Sequence, residues 1–207
     1  MSKIVVAEIE GPSTTSNKIT IASGSQLDLV GSTGTTTIDA ADITAGSIPN
    51  ARLAAGTIVQ VIQTVKTDIW NGTSNGTEIA LASMSCSITP TSSSSKVLIQ
   101  VSLSYSCNAT TYKLRIKRGS TLIGQGDASG SRQQAMTGLG YTTDTNQVDS
   151  GCFMYLDSPG TISAVTYSLY TINDNTGPLY VNRSQLDQNN ATGGRCSSTI
   201  TLMEIKA

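Results

Sequence analysis

The sequence contains no histidine. That absence removes the usual general base near neutral pH, the Ser-His and Cys-His nucleophile pairs, and the commonest transition-metal ligand. Glycoside hydrolysis needs only two carboxylates, and the C-terminal part of the chain supplies Asp127, Asp144, Asp149, Asp157, Asp174 and Asp187. Each stands among Gly, Ser or Asn residues that predict a turn, where an Asp side chain bonds nearby backbone amides. They are read as turn formers, and no catalytic, cofactor-binding or metal-binding residue is assigned. The cysteines Cys86, Cys107, Cys152 and Cys196 are widely spaced and form no C-x-x-C pair of the zinc or redox kind. Cys86 and Cys107 fall in phase with apolar neighbours, so they read as small core thiols rather than disulfide partners. Neither GSTGT nor GSR ends in the Gly-Lys-Ser/Thr that grips a phosphate.

Charge is sparse and balanced. Lys and Arg number 13 against 14 Asp and Glu, a net charge of -1, which gives no clustered basic face for a nucleic-acid backbone. Lys113, Arg115, Lys117 and Arg118 form one small basic strip; it reads as a solvated strand face whose lysines would also protect a sheet edge. In GDASGSR, Asp127 and Arg132 are spaced to hold a turn or to bridge neighbouring subunits. Glu8 and Glu10 interrupt what a signal peptide would need as an apolar segment. No stretch approaches the roughly 20 apolar residues of a membrane span, so neither secretion nor membrane insertion is expected.

The elements that position these residues read as strands. Ser, Thr, Gly and Asn separate isolated Val, Ile and Leu, and no 3.6-residue apolar stripe persists beyond about two turns. The fold class is therefore all-β. IVQVIQTVK opens the longer strands at Ile58, with Val59, Val61 and Val65 sharing a face, and WNGTSNGTE follows as a polar turn with Trp70 at its base. In EIALASMSCSI the apolar phase shifts from Ile79 and Leu81 to Met84, Cys86 and Ile88, which predicts a bulge near Ala82 and Ser83. KVLIQVSLSYSC alternates throughout, with Val97, Ile99, Val101, Leu103, Tyr105 and Cys107 inward and Gln100, Ser102, Ser104 and Ser106 outward. YKLRIKR places Tyr112, Leu114 and Ile116 inward. QQAMTGLGY, GCFMYLD, TISAVTYSLYTI, GPLYVN and SSTITLMEI bring the total to eight to ten strands, the number expected of a jelly-roll-like antiparallel β-sandwich.

Residues 1–57 have a different texture, with no aromatic residue and no cysteine. Ile38, Ile43, Ile48, Leu53 and Ile58 recur at every fifth position, and Ala41, Gly46, Ala51 and Gly56 stand two residues before the last four. Neither helix nor strand has that period. The small-x-Leu/Ile pattern resembles the pentapeptide repeat, although these repeats span only about one coil; the same stretch also reads as a Gly/Ala-rich linker. A segment with so little large apolar surface can hardly fold alone. Three copies wound about a shared axis would bury the Ile/Leu ring between chains. The expected organisation is an intertwined stalk and anchor over residues 1–57 and a β-sandwich head over 58–207, assembled as a homotrimer.

GSIPNARLAAGTIVQVIQTVKTDIW, SITPTSSSSKVLIQVSLSYS, GDASGSR, CFMYLDSP, YVNRS and STITLMEI, taken together and in order, resemble a family of fibre and virion structural proteins of marine and freshwater tailed phages, cyanobacterial phages among them. The similarity covers residues 46–207. It implies a virion component on the tail or capsid surface, assembled in the host cytoplasm. Its N-terminus would dock onto baseplate, tail or capsid proteins, and its C-terminal domain would be exposed. Two roles follow for the head. Its polar loops around Tyr141 to Asp149 and Asn173 to Gly177 would recognise a host-surface glycan or another receptor, or the protein would serve as a capsid-decorating or adaptor fibre without a receptor. A glycan-degrading fibre is the weaker third reading.

Overall fold

The computed structural model describes residue 48 and residues 50–107, 111–174 and 176–207. Ile48–Ala207 form one compact unit. Among the described residues there are eleven strands and no α-helix: β1 (Ile58–Lys66), β2 (Trp70–Gly72), β3 (Ile79–Ile88), β4 (Lys96–Cys107), β5 (Tyr112–Arg118), β6 (Thr121–Ile123), β7 (Thr137–Leu139), β8 (Asp149–Asp157), β9 (Val165–Ile172), β10 (Leu179–Val181) and β11 (Ser198–Ile205). A 3-10 turn at Asn50–Arg52 precedes them.

The longest strand, β4, organises the first sheet. One edge of β4 pairs with β8; the other pairs with β11 over Lys96–Ser102 and with β10 over Tyr105–Cys107. β11 and β10 thus form one interrupted row, and β1 and β2 pair with them to form the next. The second sheet has the order β3-β9-β5, and β6 and β7 share the remaining edge of β5. With each interrupted row counted once, the chain fills eight rows in the orders 1-8-3-6 and 2-7-4-5. These are the two antiparallel sheets of an eight-row double Greek key, the jelly-roll order.

One apolar core lies between the sheets. The alternation of β4 sends Val97, Ile99, Val101, Leu103, Tyr105 and Cys107 into it, and Tyr112, Leu114 and Ile116 of β5 meet them from the opposite sheet, as their spacing predicts. Each fully buried aliphatic side chain contributes about 1.5–3 kcal/mol relative to exposure. The bulge expected in β3 is present: its pairing with β9 slips between Ala80 and Ser85, and Ser83 takes φ 63°. Trp70 packs against the core from β2, a short strand where a turn was expected. Gly72 admits no larger residue there, because a Cβ would sit 2.5 Å from the Trp70 ring.

The registers define two ends. At the proximal end, the described chain comes in beside the end of β11: Gly56 N donates to Lys206 O, Lys206 N donates to Thr57 O, and Lys206 Nζ donates to Leu53 O. Fully buried Glu204 pins the 89–95 turn to this end by accepting hydrogen bonds from Thr91 N at 2.8 Å, Thr91 Oγ1 at 2.7 Å and Gln60 Nε2. Burial alone would push the Glu204 carboxyl up, but hydrogen bonds from Ser95, Gln60 and Thr91 outweigh it and hold the group below the usual 4.5. A carboxyl with a depressed folded pKa stabilises the fold above its unfolded value and loses that contribution as pH falls through the folded one. Urea titrations should therefore show the advantage of wild type over Glu204→Gln intact at pH 7 and shrinking steadily below about pH 4.5.

Of the five-residue series, Ile38 and Ile43 lie outside the described residues. Ile48 and Ile58 are exposed and Leu53 is half-buried.

Candidate functional site

The loops named from sequence come together at the distal end, opposite the incoming chain. β4 ends there at Cys107, β8 begins there at Asp149, and β9 ends there at Ile172. The 140–148 and 173–178 connections therefore share this end with the Ser74–Gly76 turn, whose Gly76 N donates to Asn173 O at 2.7 Å. The 182–197 connection between β10 and β11 joins them and was not singled out from sequence. Its signal was Asp187 set between Arg183 and Arg195 in an Asn- and Gly-rich stretch.

Local chemistry fixes these loops. Asp144 caps its own turn by accepting from Asn146 N at 2.8 Å, and Tyr141 stands exposed beside it. Thr142 donates to Cys107 O through N and Oγ1, while Gln185 Nε2 reaches Thr142 Oγ1 at 2.9 Å and so joins the 140–148 and 182–197 loops. Asn182 is the anchor of the longer loop. It is fully buried at φ 64°, a left-handed conformation that Asn tolerates better than most residues. Its Nδ2 donates to Lys66 O and Asp68 O at 2.9 Å each, and its Oδ1 accepts from Ser198 Oγ at 2.6 Å.

Beyond Asn182, Arg183 and Arg195 face each other across a bridge and share Asp187, with Arg183 at 3.0 Å. The hydrogen bond from Arg195, helped by the charge of both arginines and opposed by burial, holds the Asp187 carboxyl below its usual range. The Arg183 guanidinium also stacks over Tyr180, 4.3 Å from the ring centre. Residues 187–190 and 193–195 line a pocket of about 200 Å³. Its side-chain amides and backbone groups suit the hydrogen-bonding of sugar hydroxyls, and the one guanidinium, that of Arg195, is already matched by the Asp187 carboxylate in the same lining.

The remaining sequence candidates have separate places. Asp157 is not in a turn: it ends β8 and is buried, because Arg118 and Tyr167 offer it a charge-assisted, hydrogen-bonded site. Asp149 accepts from Gln147 Nε2 and Asp174 from Gln133 Nε2. Arg132 donates to Ser129, and no ion pair with Asp127 occurs among the described residues. The basic strip lies on β5, an interior strand rather than an edge, where Arg115 and Lys117 pair with Glu78 and Lys117 sits 4.1 Å from the Tyr170 ring centre. Cys86 and Cys107 are buried, as expected. Burial pushes the Cys107 thiol up to about 11, against a hydrogen bond from Thr142 and with help from Asp149, so it is protonated and unreactive at neutral pH.

No protein-family model matches the sequence, and no curated protein matches it. Among solved structures, the chain is similar to one from infectious bursal disease virus, Gx strain, with 14% sequence identity and a TM-score of 0.38. The match covers 72% of this chain and 37% of the length of that one.

Proposed function

We propose that this chain is a phage virion structural protein, a homotrimeric fibre whose stalk includes the Ile38, Ile43, Ile48, Leu53, Ile58 series and whose head meets the host surface with its distal loops. The observation that carries this reading is polarity along the fold. The described chain joins the head at one end, and the Tyr141–Asp149, 173–178 and 182–197 loops lie at the other. A subunit tethered to a particle through its N-terminal side would present those loops outward. Eight-row double Greek keys serve both as virion building blocks and as sugar-binding domains; fold alone does not choose between them, and the polar pocket beside Arg195 favours the second use for the head.

Full-length protein should bind intact host cells and compete with infection by the virus that carries it. Asn189→Ala, at an exposed position of the pocket, should weaken that binding about tenfold without changing thermal stability. A folded protein that neither binds cells nor competes would leave the capsid-decorating or adaptor role in place of recognition.

A further inference from the structure

The two outer faces of the sandwich differ in kind. On the β3-β9-β5 sheet the outer side carries Ser85, Ser87, Thr166, Arg115 and Lys117, an ordinary wetted surface. On the β1-β11-β4-β8 sheet, Ile58, Val61, Val65, Met154 and Leu156 are exposed, from 47% at Leu156 to 65% at Met154. Register places half-buried Ile205, Met203 and Leu98 between them: Val61 opposes Met203, Met203 opposes Leu98, and Leu98 opposes Leu156. Ile58 joins this face because the β1 pairing slips between Ile58 and Gln60, which turns its side chain away from the core. The row below holds Gln63, Thr201, Gln100 and Met154, all uncharged, and Lys96 is the one cation among the described side chains that alternation sets on this face. Toward the distal end the face is closed by its own chain, since Ser104 Oγ donates to Ser197 O and fully buried Ser106 donates to Arg183 O. The apolar part is thus confined to the proximal half.

Contiguous exposed apolar area of this kind marks a contact surface, and we infer that it is where the heads of sister copies of this chain meet. The inference rests on the trimeric reading above and adds to it the surface used. Three observations select a second copy as the occupant. The face has no charge pattern for a charged partner to complement, but it matches itself. Its first residue, Ile58, is also the last member of the five-residue apolar series, so copies joined along that series arrive with their β1 strands side by side. Its size is the third. Four strands at about 4.8 Å spacing and a proximal half of each strand give roughly 300–500 Å², below the 800 Å² or so that each partner contributes to a stable free-standing interface. A contact of that size holds when a tether supplies high effective concentration, which the series preceding Ile58 would do.

The test uses the full-length chain. Val61→Glu/Leu156→Glu places carboxylates in the face, and Ser85→Glu/Thr166→Glu places them on the opposite sheet as control. Wild type and control should be trimers with the same dissociation midpoint on dilution, and the face variant should dissociate at about a hundredfold higher concentration. Val61→Cys, in a background with Cys152→Ser and Cys196→Ser, should give covalently paired chains with a short bismaleimide, while Thr166→Cys should not. A trimer whose face variant is unchanged, or in which Val61→Cys does not cross-link, overturns this contact surface and leaves the trimeric stalk standing. A monomeric wild type overturns both.

Discussion

Asn182→Ala should lower the unfolding free energy by about 3–4 kcal/mol, because it leaves the carbonyls of Lys66 and Asp68 and the hydroxyl of Ser198 without their buried partner. The residue also gives up an Asn-compatible φ of 64° for a side chain that prefers it less. In a body of this size the loss corresponds to a fall in Tm of roughly 6–16 °C. The consequence extends beyond stability, since Asn182 ties the end of β1 to the start of β11 and roots the 182–197 loop. Asn182→Asp separates hydrogen bonding from shape. It keeps the acceptor for Ser198 but points a carboxylate at two carbonyls, so it should be as damaging as alanine at pH 7. Burial against those acceptors raises the carboxyl pKa in the fold, which places the stability of this variant below that pKa and removes it as pH rises. Relative to wild type at the same pH, Asn182→Asp should therefore recover on acidification, and Asn182→Ala should not. Equal behaviour of the two variants across pH would mean that the amide donors contribute little.

Asp157→Ala should cost a similar amount, about 3–5 kcal/mol, for a different reason. Arg118 Nη1 reaches both carboxylate oxygens, at 3.0 and 2.9 Å, and Tyr167 Oη donates to Oδ2 at 2.7 Å. The carboxylate comes from one sheet and its two donors from the other, so the group clamps the sheets together at the proximal end. Tyr167 is fully buried; burial first, and the hydrogen bond to Asp157 second, push its phenol pKa well up, so it stays a donor at every working pH. Removing the carboxylate alone strands that hydroxyl and leaves Arg118 without its buried counter-charge. Removing the hydroxyl as well should return part of the loss: Asp157→Ala/Tyr167→Phe should be more stable than the sum of the single changes by about 1–2 kcal/mol. Urea midpoints at one fixed protein concentration check this, because the proposed assembly would link stability to concentration. Simple additivity would show that the pair does not act as a unit.

What the sequence made legible was whatever repeats locally. β4 and β5 were readable because strict alternation over seven or more residues permits one buried face, and the β3 bulge was readable because the apolar phase changes by one residue at Ala82 and Ser83. The three-residue strands β2 and β6 are too short to display a period, β7 and β10 showed only inside the longer stretches QQAMTGLGY and GPLYVN, and row order depends on partners far apart in sequence, such as Gln60 with Glu204. Asp157 looked like a turn residue because its neighbours do; only the approach of Arg118 and Tyr167 makes its burial favourable. Of the distal surface, two loops were visible as polar gaps between strands. The 182–197 loop stayed hidden because its order comes from Asn182 reaching back to residues 66 and 68. The outward apolar face was hidden too, since alternation groups Val61 with Val65 without saying which side meets water.

The proposed fibre requires sister copies of this chain to assemble in threes, and light scattering on the purified protein, taken across a dilution series at neutral pH, shows whether they do. The expected mass is three times the 21.5 kDa chain, held down to low micromolar concentration. A well-folded particle with the mass of one chain throughout the series would contradict it.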